Sequence, residues 1–200
     1  MNIYLCDFRD SFTLNILTTL SDASSDFKIN LVEFNDIKKK LESLINTQEK
    51  TIIILGPGPG HPNDYEFLKY TIEKILRCPH LFLMGICLGH QLIASALGLK
   101  IGPCDIPVHG QAFSYKLSDK VSKDLQLPSS ITVQRYNSLC VLNEAQNQVL
   151  LEKNDIEFSK TNEDIFLFYK ENLISYQFHP ESIGTNFPKV FFKKAKSFLL

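Results

Sequence analysis

The chain has 200 residues, with a hydrophobic fraction of 44% and a charged fraction of 22%, which suits one ordinary globular domain with a sizeable core. With 21 basic residues against 22 acidic ones, it carries no excess positive charge of the kind that marks a surface for nucleic acid or anionic membrane. Asp7, Arg9 and Asp10 stand where a leader would need an apolar run, and no apolar stretch is long enough to span a bilayer.

Cysteine usage points the same way. The five cysteines (6, 78, 87, 104 and 140) contain no Cys-x-x-Cys pair, so neither a disulfide framework nor a zinc ribbon is indicated and the expected home is the reducing cytoplasm. Cys87 and His90 have ligand-like spacing, but no matching second pair accompanies them, and no metal is expected. Lys38, Lys39 and Lys40 are balanced by Asp36 and Glu42 and read as a solvated helix face, as do Lys193, Lys194 and Lys196.

Residues 2–6 form a first predicted strand. Asp10 or Ser11 then suits the N-cap of a helix whose Phe12, Ile16, Leu17 and Leu20 make an apolar stripe. A second strand is predicted at 27–34, a helix at 36–45, and at 51–55 a continuous apolar strand typical of a sheet covered on both faces. That strand runs into Gly56-Pro57-Gly58-Pro59-Gly60. Pro57 and Pro59 have no N–H, so the loop is no phosphate nest. It is either a stiff turn without chemistry or a pocket wall that places a single N–H beside a developing oxyanion.

A helix at 64–77 leads to the stretch on which the rest turns. Residues 81–84 read as a buried strand, Gly85-Ile86-Cys87-Leu88-Gly89 as a sharp turn, and 91–97 as a helix stopped by Gly98. This is the cysteine form of a nucleophile elbow. A lone cysteine is more often an inert packed thiol; the flanking glycines and the strand-to-helix switch reverse that judgement, because a helix start beside the sulfur favours the thiolate. To this point the order βαβαβαβα implies a parallel sheet with right-handed crossovers. Short runs at 113–117, 131–136, 149–153, 165–169 and 173–178 then suggest an added antiparallel portion, and 188–200 a closing helix packed through Val190, Phe191, Ala195, Phe198 and Leu199.

A thiol nucleophile needs a base and the base an orienting partner. His61 and His80 read as solvated, His90 as pointing into packing, and His109 as a loop residue. His179 ends a strand and precedes Pro180-Glu181. Proline keeps the residue before it extended, which puts Glu181 on the same side as His179 and within reach of its imidazole.

The motifs Asp10-Ser11-Phe12, Gly56-Pro57-Gly58-Pro59-Gly60, Gly85-Ile86-Cys87-Leu88-Gly89-His90-Gln91, His109-Gly110, Arg135-Tyr136-Asn137-Ser138-Leu139 and Gln177-Phe178-His179-Pro180-Glu181-Ser182-Ile183 resemble those of the class I (triad) glutamine amidotransferases. Within that class the resemblance is to the small subunits of anthranilate synthase and 4-amino-4-deoxychorismate synthase. It spans nearly the whole chain and implies a single amidotransferase domain over 1–200, an α/β fold with a mostly parallel sheet flanked by helices. It also implies hydrolysis of L-glutamine by Cys87, His179 and Glu181, an oxyanion hole from the Gly58 and Leu88 N–H groups, and glutamine held by Gly58, Gly60, Gln91, Ser138 and Leu139. No metal or organic cofactor is implied, and the partner is a separate chorismate-binding synthase subunit. The alternatives are a stand-alone γ-glutamyl hydrolase and a catalytically silent regulatory module. Phe8, Gln111 and Asn137 depart from the family's usual Asn, Lys and His, with partner contacts or coupling of the two sites the properties expected to change.

Overall fold

The computed structural model describes residues 2–21 and 27–199. Its first half is four βα units: β1 (Asn2–Cys6), α1 (Thr13–Ser21), β2 (Lys28–Val32), α2 (Ile37–Ile45), β3 (Thr51–Leu55), α3 (Glu66–Ile75), β4 (Leu81–Ile86) and α4 (Leu88–Ala96). The second half adds β5 (Ile101–Pro103), β6 (Gln111–Lys116), α5 (Asp119–Leu125), β7 (Ser130–Arg135), β8 (Leu139–Val141), α6 (Ala145–Lys153), β9 (Glu157–Lys160), β10 (Ile165–Lys170), β11 (Leu173–Tyr176) and α7 (Lys193–Leu199). A seven-stranded sheet runs in the order β2-β1-β3-β4-β11-β10-β9, beside two antiparallel pairs, β5-β8 and β6-β7.

Why the core strands read as unbroken apolar runs is visible in β3. Ile52 and Ile54 join one core with Ile16, Leu20, Phe191 and Ala195, whereas Ile53 and Leu55 join the other with Ile37, Leu41, Leu68, Ile72 and Leu92. Successive strand side chains point to opposite faces, so a sheet with helices on both sides buries every position. Full burial of one such Ile or Leu is worth about 1.5–3 kcal/mol. The chain passes from β1 outward to β2 and returns to β3 on the other side of β1. Loops at the carboxyl ends of β1, β3, β4 and β11 therefore gather along one edge, the place where open α/β sheets bind ligands.

Several expectations need correction. Residues 149–153 belong to α6, not to a strand. The apolar run Val149-Leu150-Leu151 misleads because its neighbours Ala145, Gln146, Gln148, Glu152 and Lys153 are better helix formers than strand formers. Buried Asn147 then docks the helix, accepting from Lys100 N–H and donating to the carbonyls of Lys100 and Leu142. The expected antiparallel runs at 113–117, 131–136 and 165–169 do pair antiparallel, as β6-β7 and as β10 with its neighbours, but β11, within the run at 173–178, also pairs parallel with β4 and so joins β10 and β9 to the main sheet. The predicted second strand is shorter, with a 3₁₀ turn at Phe34–Asp36, and the helix expected from 64 starts as a 3₁₀ turn at Pro62–Tyr65. The last helix opens with another, Pro188–Phe192, and Leu200 lies outside the described residues. Lys194 and Lys196 are half-buried rather than solvated, and that burial lowers both pKa values.

Candidate active site

Cys87 stands between β4 and α4 with φ 52° and ψ −103°. A non-glycine residue there is strained, and the surroundings hold it in place. Its N–H donates to Tyr176 at 2.9 Å, and the Gly89 N–H donates to Gly56 at 3.1 Å. The turn is also packed so closely that a Cβ on Gly89 would run into the Leu55 carbonyl. Glycine is therefore required here by the approach of another backbone.

His179 lies beyond the end of β11. Its Nδ1 bonds Glu181 Oε1 at 2.7 Å, with both side chains buried. With Nδ1–H donated to the carboxylate, the other ring nitrogen is the one left to exchange a proton. Nε2 has no conventional hydrogen-bond partner among the described residues, yet the ring interacts with Cys87. Burial would lower the pKa of His179, but the charge on Cys87 and bonds to Cys87 and Glu181 outweigh it and raise the value to about 10. Phe12 and Tyr136 pack on the imidazole, with ring centroids 4.9 and 5.0 Å away. Asp10, expected to cap the first helix, accepts from the Phe12 N–H at 2.8 Å and so helps place that wall.

Beside Cys87 lies a cleft of about 190 Å³ lined by Gly58, Gly60, Leu88, Gln91, Ser138 and Leu139, among others. All the residues expected to hold a substrate or an oxyanion thus meet in one place. Leu88 opens α4, where N–H groups lack an intrahelical acceptor. Gln91 Nε2 donates to Leu139 O at 2.9 Å and Gln177 Oε1 at 3.1 Å, so the function it has left to offer a ligand is its carbonyl oxygen. A larger cleft of about 670 Å³, lined by Tyr4, Asn30, Glu33 and Lys39 among others, lies at the β2 edge, and neither cysteine nor histidine lines it.

His90 and His109 match their expected surroundings, whereas His61 and His80, expected to be solvated, are half-buried. His90 is buried, with Nδ1 2.8 Å from Ser175 Oγ and Nε2 3.0 Å from the Ile165 carbonyl. Burial lowers its pKa to about 3, so it stays neutral. His61 caps the 3₁₀ turn at Pro62–Tyr65, and His109 lies in an exposed bend.

Sequence reasoning missed the residues that frame the site. Gln177 bridges Gln91 and Cys87, its Nε2 lying 3.9 Å from the sulfur; its position two residues before His179 on an extended segment was the available signal. Gln134 and Thr185 hold the His179 loop through contacts that only tertiary pairing creates. The three departures from the family pattern sit in different surroundings. Phe8 is buried against Tyr65 and Phe34, and Asn137 is buried, accepting from Arg135 Nε and donating to Cys104 Sγ and Leu139 O. These two pack inside the protein; only Gln111 is exposed.

The model of the glutamine amidotransferase class-I family matches residues 4–198. The chain belongs to the class I glutamine amidotransferases. It is similar over nearly its whole length to proteins named anthranilate synthase component 2, amidotransferase subunits of an enzyme. The protein of that name from Helicobacter pylori strain 26695 is 32% identical, with 100% of this chain and 98% of that one covered. Its counterpart from Buchnera aphidicola is 35% identical over 92% of this chain and 89% of that one. In fold, the chain is similar to a glutamine amidotransferase from Thermotoga maritima, with TM-score 0.67, 18% identity and coverage of 100% and 84%. The glutaminase domain of Trypanosoma brucei CTPS aligns with TM-score 0.71 at 13% identity, covering 98% and 94%. Among the described residues no helix is long and apolar enough to cross a membrane.

Proposed function

We propose that the chain is the glutaminase subunit of a two-component synthase, releasing ammonia from L-glutamine and passing it to a separate chorismate-using subunit. The observation that carries the chemistry is the buried His179–Glu181 pair at 2.7 Å beside a cysteine held at positive φ. Cys87 attacks the side-chain amide carbon while His179 carries the proton to the leaving nitrogen. Ammonia departs, leaving a γ-glutamyl thioester on Cys87. Water, activated by the same imidazole, then hydrolyses the thioester to glutamate and frees the thiol. Glu181 fixes the tautomer of His179 and supports its imidazolium.

The N–H groups of Gly58 and Leu88 take the oxyanion, each donor contributing about 2.7–4 kcal/mol. Gly60, Gln91, Ser138 and Leu139 hold the amino-acid end of glutamine. The partner reading rests on the relatives named anthranilate synthase component 2. The aromatic product is anthranilate or 4-amino-4-deoxychorismate, which places the chain in tryptophan or folate synthesis in the cytoplasm.

The test is glutamate release by the purified chain, alone and with a chorismate-binding synthase subunit, for wild type and Cys87→Ala. The expected result is a low rate that rises with the partner and vanishes in Cys87→Ala, while the partner still uses added ammonium. An unchanged rate in the variant would sink the triad. Turnover of γ-glutamyl peptides without any partner would instead favour a stand-alone hydrolase, and no release in either condition a silent module.

A further inference from the structure

Behind the cleft, on the far side of Asn137, three ligand-bearing side chains converge that the chemistry above does not use. Cys104 follows β5, Cys140 lies in β8, and Glu163 sits in the turn before β10. Their two sulfurs and a carboxylate oxygen all lie within 4.8 Å of one another. We propose that Cys104, Cys140 and Glu163 form a zinc-binding site, separate from Cys87.

The donor set has the chemistry for it. Two thiolates and a carboxylate suit a borderline-soft divalent ion in tetrahedral geometry. With metal–sulfur bonds of about 2.3 Å and metal–oxygen bonds of about 2.0–2.2 Å, ligand atoms sit roughly 3.5–3.8 Å apart, so the three groups need contract only slightly. A cleft of about 510 Å³ that reaches Cys104 and Glu163 gives an entry path and room for water as a fourth ligand.

The three segments are already pinned. β5 pairs with β8, and the Cys104 N–H donates to Ser138 O at 2.8 Å. In the Glu163 turn, Thr161 Oγ1 accepts from the N–H groups of Glu163 and Asp164 and donates to Asp164 Oδ1. Outer partners are present too: Asn137 Nδ2 donates to Cys104 Sγ at 3.2 Å, and the Asp105 N–H donates to Glu163 Oε1. Such contacts orient first ligands without using up a carboxylate's remaining lone pairs. An ion here ties together the segments on either side of residues 137–139, one wall of the cleft beside Cys87.

The experiment uses the full-length chain with Cys78→Ala and Cys87→Ala, which removes the half-exposed thiol and the one lining the cleft, and titrates it with Co²⁺ and then Zn²⁺. The expected result is one Co²⁺ per chain with thiolate-to-cobalt absorption, displaced by Zn²⁺ and lost on further Cys104→Ala substitution. Glu163→Gln should keep the thiolate band but weaken binding by about tenfold or more. Absence of that band, or a band unchanged by Cys104→Ala, overturns the site. Should Cys104→Ala fail to fold, the half-exposed Glu163 decides: an affinity unaltered in Glu163→Gln overturns it equally.

Discussion

The backbone N–H of His179 donates to the Gln134 carbonyl at 2.9 Å, an isolated antiparallel bridge joining the edge of the main sheet to the β6-β7 pair. Thr185 completes the clamp, its hydroxyl donating to the His179 carbonyl at 2.7 Å and accepting from the Gln134 N–H at 3.0 Å. The Gln134 side-chain oxygen accepts from both Ser182 Oγ and the Gly184 N–H. The proposed base is thus held by a substructure far from it in sequence. Thr185→Val should cut kcat for glutamate release roughly ten- to a hundredfold through misplaced geometry, with KM for glutamine little changed. A normal kcat in a folded variant would remove the clamp from the mechanism.

Gly58 tests the oxyanion reading. A Cβ there would lie 2.5 Å from Leu88 Cδ2 and 2.6 Å from Phe8 Cβ, so Gly58→Ala must displace the loop from the elbow. Loss of one oxyanion donor costs about 10²–10³ in kcat, and steady-state glutaminase assays should show a fall of that size. Thiol labelling of Cys87 should persist, because the nucleophile itself is untouched.

Two histidines set opposite pH limits on stability. His90 is held below its usual pKa, at about 3, so the unfolded chain binds the extra proton between about 6.5 and 3 and stability falls as pH drops through that window. His179 is held above its usual value, at about 10. Its contribution is full below about 6.5 and is lost as pH rises towards 10. Urea unfolding at pH 7, 5 and 9 measures both. Cys87→Ala should flatten the alkaline decline by removing a charge that raises His179, and His90→Gln should flatten the acid one.

The Arg135–Asp164 pair, 2.6 Å apart and buried, also binds Tyr115 and Asn137 through the guanidinium. Removing one partner from a buried pair strands the other charge and costs about 3–5 kcal/mol. Asp164→Asn should therefore lower the urea midpoint sharply. Arg135→Met combined with Asp164→Leu should cost less than the sum of the two single changes.

Elements whose burial is uniform were legible in the sequence. β3 and β4 show themselves as apolar runs, and the adjoining helices by period and capping. α6 was not, since its short apolar run fits either period and its docking depends on Asn147 reaching across to Lys100 and Leu142. The same division holds at the site. Cys87, His179 and Glu181 lie in local motifs whose spacing carries their chemistry. Gln134 and Thr185 have no such spacing, because their partners are brought to them by tertiary pairing. The burial of Phe8 and Asn137 was not legible either: a departure from a family pattern says nothing about which way a side chain faces.

The backbone at Cys87 sets chemistry against folding. Its φ of 52° suits glycine better than any residue with a Cβ, and holding cysteine in so sparsely populated a conformation costs of order 1–3 kcal/mol. Under selection for persistence alone, the drift at this position would be towards Cys87→Gly, yielding a sturdier and inert descendant. On the proposed mechanism, the reactivity of a thiol at that point is what sets the cysteine against this gradient.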